Sequence, residues 1–269
     1  MPVQSLWEAG YFGLDKVKIF RDSSGAEQEK ILQLCTRSLL EEAYFIEKAG
    51  VGYMAKMVML AQTTEERMLY GLFASDEASH LAQISRFIKP DYIGGQERAF
   101  LRLLSTVVEN EDKSVLLFVI QVVLEGWGLS HYRNLAKGCK NAEVAQMFRG
   151  FLQEEAHHHG TGMMLFDRRS LSPSSRDAIA EILALFLRMV QVGPQSVVSA
   201  IARVKGHLSP PQKVRILTEL DTETQSGTRL KLLRSLMQGK TASPIVHRLE
   251  IQGAFEPFSP EDCLRSVES

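Results

Sequence analysis

A gapless internal repeat constrains this chain more than any other feature. Glu47, Glu77 and His80 recur 78 positions later as Glu125, Glu155 and His158. Each half reads a lone glutamate and then, 30 residues on, a Glu-x-x-His. Aligning 47–80 with 125–158 also superposes Gly50 on Gly128, Glu65 on Glu143, Phe73 on Phe151 and Ala78 on Ala156, seven identities in all. Repetition at a fixed offset means two copies of one supersecondary unit. The unit predicted here is a helical hairpin, and the two hairpins are related by a pseudo-two-fold.

Helix formers dominate the chain, and glycine and proline punctuate them; no alternating strand pattern is present. The reading is all-α. An N-terminal arm at 1–25 carries some helix around Leu14–Phe20. The first long helix runs from about Ala26 to Ala61. Thr63 caps the second, with Glu66 completing a capping box, and Pro90 ends it. Gly94-Gly95 opens a connecting helix to about Asn110. The third long helix covers about Asp112–Lys137 and stops at Gly138. Asn141 caps the fourth, which reaches about Arg169. The connection between the second and third long helices, about twenty residues, is long enough to cross over a bundle. Ser172-Pro173 and Ser209-Pro210 read as N-caps followed by proline at the first helical position. They predict helices over 173–205, kinked at Gly193-Pro194, and over 210–238. The tail from 240 is expected to be extended or loosely packed. The domain reading is thus a bundle at 26–169 with a C-terminal helical extension at 170–269 packed on it.

Residues three apart share a helix face. Glu77 with His80, and Glu155 with His158, therefore each present an oxygen and a nitrogen in one direction, while Glu47 and Glu125 come from the facing helices. Four carboxylates balance two divalent cations. Without metal they would carry a large desolvation and repulsion cost. Carboxylate and imidazole donors without thiolate suit iron, with manganese as the other option and zinc less specifically. Glu41 and Glu42 lie one to two turns before Glu47 and compete with it for the inward position. Register with the second half, and phase with Val51, Met54 and Val58, favour Glu47. Asp76 and Glu154 directly precede the Glu-x-x-His glutamates. A ligating histidine usually gives its second N–H to a carboxylate, so each is expected against the histidine of the other hairpin. His157 and His159 point to the sides of His158 and read as surface residues; His131 lies off the face of Glu125. Tyr70, Phe73, Phe148, Phe151, Met54 and Tyr132, with the space left by Gly50 and Gly128, either pack the core or line an apolar pocket.

Composition narrows the class. Hydrophobic residues make up 45% of the 269, enough for a sizeable core, and the net charge is only −1. Basic residues are spread along the chain, giving no footprint for nucleic acid. The most apolar stretch, Val115–Leu124, is too short to span a bilayer, so no membrane span is expected. Met1-Pro2-Val3-Gln4 shows no secretory pattern. Cys35, Cys139 and Cys263 are few, odd in number and widely spaced, as in a reduced cytoplasmic protein.

At the six repeated residues the chain resembles the ferritin-like di-iron carboxylate superfamily over about residues 26–169. The resemblance implies a four-helix bundle whose metal ligands are Glu47, Glu77, His80, Glu125, Glu155 and His158. Ile84 stands where reductase subunits carry a radical tyrosine, and the CxxC pairs of rubrerythrin are absent. The chain adds about a hundred residues to the ferritin core. By character it is most similar to soluble oxygenase and oxidase members such as the aldehyde-deformylating group. That resemblance implies a dimetal oxidoreductase, di-iron or iron–manganese, activating dioxygen to oxidise a small or apolar molecule near Phe73, Phe151 and Tyr132. An external electron donor such as ferredoxin would serve it, and a homodimer is one possible state. A ferroxidase or iron-handling role, and manganese catalase-like peroxide disproportionation, are the alternatives.

Overall fold

The computed structural model describes residues 4–88 and 99–268. Among them every regular element is helical, apart from one isolated bridge between Trp7 and Cys139. The long helices are α1 (Gly25–Leu60), α2 (Thr64–Ile84), α4 (Lys113–Gly138) and α5 (Ala142–Asp167), with α3 (Ala99–Val108) between α2 and α4. Three-residue connections join α1 to α2 and α4 to α5, and each pair packs as a hairpin. Local chemistry sets these boundaries. Ser24 opens α1 in a reciprocal box: its hydroxyl accepts the Glu27 N–H, and the Glu27 carboxylate accepts the Ser24 N–H at 2.9 Å. Thr63 caps α2 by accepting the Glu66 N–H at 3.1 Å, and Asn141 caps α5 by accepting that of Val144 at 3.0 Å. The expected box at Thr63 is only half formed. Glu66 reaches past it to the Gln62 N–H at 2.9 Å and pairs with Lys113. α2 ends at Ile84, and both Pro90 and Gly94-Gly95 lie outside the described residues.

Helix α4 is not uniform. Leu117–Leu124 is wound as a π-helix, framed by α-helical turns at Lys113–Leu116 and from Glu125 onward. A π-turn carries i→i+5 hydrogen bonds and re-aims the residues after it; such turns are frequent at functional sites. Here it ends immediately before Glu125. Residues Leu117–Val123 are all buried, so apolar packing on every side holds the wider turn. Continued to Gly138, α4 is long and apolar enough by length and composition to cross a membrane. Core helices of globular proteins share that property, and over half of its apolar stretch is buried by the protein's own helices.

The C-terminal part is α6 (Pro173–Gln191), α7 (Gln195–Lys205), α8 (Pro210–Glu219), α9 (Thr222–Leu236), α10 (Ser243–Ile251) and α11 (Pro260–Glu268). Ser172 caps α6 as expected, and α6 and α7 meet at 46° across Gly193-Pro194. Gly193 has φ +75°, and a Cβ there would also lie 2.3 Å from Thr222 Cγ2, so only glycine fits the bend. The single helix expected over 210–238 is broken instead at Asp221, which takes a left-handed conformation with φ 52°. The tail differs most from its expectation. Rather than extended chain, 240–268 holds α10 and α11, and Ile245, Leu249 and Cys263 are sealed in the core. Pro244 and Pro260 occupy helix starts, where a missing N–H costs nothing, and Pro257 lies in the connection between α10 and α11.

Three apolar clusters knit these parts together. Phe118, Val119 and Phe166 of the hairpins pack with Leu183 and Phe186 of α6, Leu233 of α9 and Leu249 of α10. Ile31 and Cys35 of α1 pack with Val197 and Ile201 of α7 and with Leu14, Val17 and Phe20 of the N-terminal arm. The arm forms two short 3-10 turns and one helical turn, Lys18–Arg21. It is pinned by Trp7, fully buried, whose indole N–H donates to the Leu135 carbonyl at 3.0 Å. Leu249→Ala is therefore expected to lower stability by about 2–5 kcal/mol, read from urea denaturation. A loss under about 0.5 kcal/mol, the range of a surface substitution, would restore the loosely packed tail.

Candidate metal centre

The structure brings all six repeated residues together. Their donor atoms fall into two groups, Glu47–Glu77–His80–Glu155 and Glu77–Glu125–Glu155–His158, each with every atom within 4.8 Å of the others. Glu77 and Glu155 belong to both. α1 supplies Glu47, α2 Glu77 and His80, α4 Glu125, and α5 Glu155 and His158. Glu47, Glu77, His80, Glu155 and His158 are buried, and Glu125, though part-buried as a residue, has its Oε2 sealed from solvent. The choice at α1 resolves to Glu47. Glu41 is also buried but pairs with Arg37 at 2.6 Å, and neither it nor Glu42 joins the groups.

The outer acids sit where the repeat places them. Asp76 Oδ2 lies 3.2 Å from His158 Nε2, and Glu154 Oε2 lies 3.6 Å from His80 Nε2, each acid facing the histidine of the other hairpin. A carboxylate accepts, so Asp76 holds a proton on Nε2 of His158, whereas Glu154 Oε2 stands beyond hydrogen-bond reach of His80 and has no other hydrogen-bond partner. The Nδ1 atoms face the cluster: that of His80 is 3.1 Å from Glu47 Oε2 and 3.5 Å from Glu155 Oε1, that of His158 3.1 Å from Glu77 Oε1. Tyr132 donates its hydroxyl to Glu47 Oε1. A Cβ at Gly50 would fall 2.2 Å from Glu77 Oε2, so this glycine makes the room Glu77 occupies, whereas Gly128 faces open space.

Of the aromatic residues, Tyr132 borders open space beside the cluster, while Phe73 and Phe151 pack against the histidines. Phe151 stacks on His80 with centroids 4.1 Å apart, and Phe73 packs on His158 at 4.3 Å. They hold the imidazoles. The space beside the cluster is a cavity of about 50 Å³ that includes Phe100, Leu104, Trp127, His131 and Tyr132 with Gly50 and Gly128. Phe100 and Leu104 come from α3, which the repeat does not contain. Tyr70, with Tyr53, donates to Gln121 Oε1 at 3.0 and 2.7 Å, while Gln121 Nε2 donates to the His158 carbonyl at 2.7 Å. His159, expected at the surface, lies part-buried with Nδ1 3.3 Å from the Gln121 carbonyl of the π-turn; His157 is exposed.

Burial and mutual repulsion dominate the electrostatics. Burial, then the charges of Glu155, Glu47 and Glu125, push the Glu77 carboxyl well above its ordinary range. Burial, with Glu155 and Glu47, does the same to Glu125. Burial and Glu47 carry Glu155 up to about 7 against the pull of His80. His80 is raised to about 10, because its hydrogen bonds to Glu155 and Glu47 outweigh the burial that opposes its charge. His158 is lowered, burial outweighing Asp76. Among the described residues no lysine or arginine pairs with the four glutamates. Glu125 Oε2 and His158 Nδ1 have no hydrogen-bond partner, although the latter stands near Glu77 off the line of a bond. A donor set of oxygens and imidazoles, crowded, buried and partly unpartnered, fits a pair of divalent cations.

The chain matches no family model and no curated protein.

The raised carboxyls fix a pH dependence. A folded Glu155 holds its proton more tightly than the unfolded chain, so its contribution to stability is full below about 4.5 and lost as pH rises through about 7. His80 acts in the same sense from 6.5 to about 10. Glu27, lowered to about 2, titrates below this window, while His158 and His131, both lowered by burial, add stability as pH rises toward 6.5 and oppose the three raised glutamates Glu77, Glu125 and Glu155. The Tm of metal-free protein is expected to fall from pH 4.5 to 7, and divalent iron or manganese to raise it most at the upper end, because metal competes with protons. A metal-free Tm that climbs across that range would contradict the cluster electrostatics.

Proposed function

We propose that this chain is a ferritin-like dimetal carboxylate oxidoreductase. Residues 26–169 would form its four-helix bundle, 1–25 an N-terminal arm and 170–269 a C-terminal helical extension. The observation that carries this reading is the overlap of two donor groups through Glu77 and Glu155. Glu47 with His80 would hold one ion, Glu125 with His158 the other, and Glu77 and Glu155 would be shared. Iron suits the donors best, with manganese as the alternative. Once bound, a redox-active pair supplies the electrons that reduce dioxygen, with a small or apolar organic molecule as the one oxidised and an external donor such as ferredoxin as reductant.

The chain's own residues set the conditions. Asp76 would keep Nε2 of His158 protonated and leave its Nδ1 lone pair toward the cluster, and His80 would give up its Nδ1 proton to a bound ion, with Glu154 3.6 Å from its Nε2. Tyr132 restrains one oxygen of Glu47, and Phe73 and Phe151 fix the imidazole planes. The apolar walls of the 50 Å³ cavity keep bulk water from the carboxylates on one side while leaving space for a molecule the size of dioxygen.

Metal content and oxygen uptake test this. Protein loaded anaerobically with ferrous iron is expected to hold two ions per chain, matching the two donor groups. Glu77→Gln and Glu155→Gln should weaken both ions, Glu47→Gln and Glu125→Gln mainly one. One ion or none per wild-type chain sinks the reading. Gly50→Ala, which drives a methyl into Glu77, is expected to cost metal affinity by roughly tenfold or more, about the loss of one well-made charged contact. Gly128→Ala should bind metal like the wild type; equal effects would remove the assigned role of Gly50. Reduced iron-loaded protein is expected to consume dioxygen. Peroxide disproportionation by manganese-loaded protein without reductant would instead favour the catalase-like alternative, and a cage-sized particle filled with iron the storage one.

A further inference from the structure

One polar side chain interrupts the apolar π-turn of α4, and the dimetal reading gives it no role. Gln121 is fully buried, as are Tyr53 and Tyr70 around it. Its Oε1 accepts the hydroxyls of Tyr53 of α1 and Tyr70 of α2 at 2.7 and 3.0 Å, and its Nε2 donates to the carbonyl of His158 of α5 at 2.7 Å. One amide therefore ties α4 to the three other long helices. Burying an amide in an apolar core is costly unless it is paired, and the surroundings are shaped to pair this one. A Cβ at Gly162 would lie 2.6 Å from Gln121 Cγ, so the glycine makes the room in which the side chain reaches His158. At the same offset the first half of the repeat carries Ala43 and Ile84, both buried among apolar residues. The amide and its glycine thus belong to the second half.

This hub stands between the two ligands that only the second donor group contains, Glu125 and His158. Glu125 comes one turn after Gln121, and its N–H bonds back into the π-turn at the Ile120 carbonyl. His158 is the residue whose carbonyl Gln121 holds. A further tie runs beside it. His159 Nδ1 donates to the Gln121 carbonyl at 3.3 Å, and a Cβ at Gly126 would fall 2.7 Å from His159 Cε1. Helices α4 and α5 therefore interlock on both sides of Glu125. We propose that Gln121 is a positioning residue that fixes Glu125 relative to His158 and so sets the affinity of the ion those two would hold. The inference rests on the dimetal reading. Tyr53 and Tyr70 orient the amide, and none of the three belongs to a donor group.

Calorimetric titration of the metal-free protein with manganese(II) chloride under nitrogen tests this, with the urea midpoint measured on the same samples. Glu47→Gln and Glu125→Gln assign the binding steps of the wild type to the two ions. Gln121→Met keeps the volume but loses the amide. It is expected to weaken the Glu125–His158 ion roughly ten- to hundredfold, the usual cost of removing support from around a ligand, and the Glu47–His80 ion far less. It should also lower the urea midpoint, because two buried hydroxyls lose their acceptor. Adding Tyr53→Phe and Tyr70→Phe removes those hydroxyls, so this triple variant is expected to recover much of the midpoint but not the affinity. Gly162→Ala, which keeps every hub side chain but drives a methyl against Gln121, should weaken the same ion. If Gln121→Met does not fold, the triple variant and Gly162→Ala make the same comparison. The inference falls if these variants weaken both ions equally or neither, or if the triple variant regains affinity together with stability, as a merely structural glutamine would. Wild type that takes up fewer than two ions overturns the dimetal reading and this inference with it. Two ions that respond alike to the hub variants overturn this inference alone.

Discussion

Four carboxylates and two imidazoles share one apolar interior, with no lysine or arginine among the described residues against the glutamates, and the rest of the molecule is organised around that concentration of donors. Such a cluster is costly to bury and strongly repulsive unless protons or cations neutralise it. The chain meets the cost in several ways at once. Glu77 and Glu125 are pushed toward the protonated form, and His80 toward the charged one. The polar contacts around the cluster also tie the hairpins together. Asp76 of α2 faces His158 of α5, Glu154 of α5 faces His80 of α2, and Tyr132 of α4 donates to Glu47 of α1. The contacts that hold the donors are therefore the contacts that join the two halves.

The two halves are not equivalent, and their differences define the site's geometry. Gly50 is filled by Glu77, whereas the matching Gly128 opens on space. The π-turn precedes Glu125 only; α1 is α-helical throughout its approach to Glu47. Helix α3 covers one flank of the cluster, and its Phe100 and Leu104 help close the cavity. A symmetric donor set thus sits in an asymmetric enclosure, with open volume on the side where His131 and Trp127 stand. An ion pair in this setting would be approached from one direction.

Much of this is legible in the chain itself. The repeat places Glu47 above Glu41 and Glu42, gives the pairing of Asp76 and Glu154 with the opposite histidines, and sets the caps at Thr63, Asn141 and Ser172, because each rests on helical spacing or on side-chain chemistry at a fixed offset. The points of difference share a cause. The π-turn is a change of hydrogen-bond partner inside a uniformly apolar run, so no residue marks it. Helical phase says which way the rings of Phe73 and Phe151 point but not what stands opposite them, so an imidazole there is indistinguishable from a substrate. The tail reads as loose because Pro244 and Pro260 look like breakers, yet each begins a helix.

The sequence by itself determined the all-helical class, the hairpin repeat and the six residues that converge, since periodicity and capping act over a few residues and survive without the fold. Only the tertiary structure decided that Glu77 and Glu155 belong to both groups, that α3 and His131 border the cavity, and that the last thirty residues complete the core. Those outcomes depend on which surfaces of distant helices meet, and close packing fixes that through shape and volume summed over the whole chain.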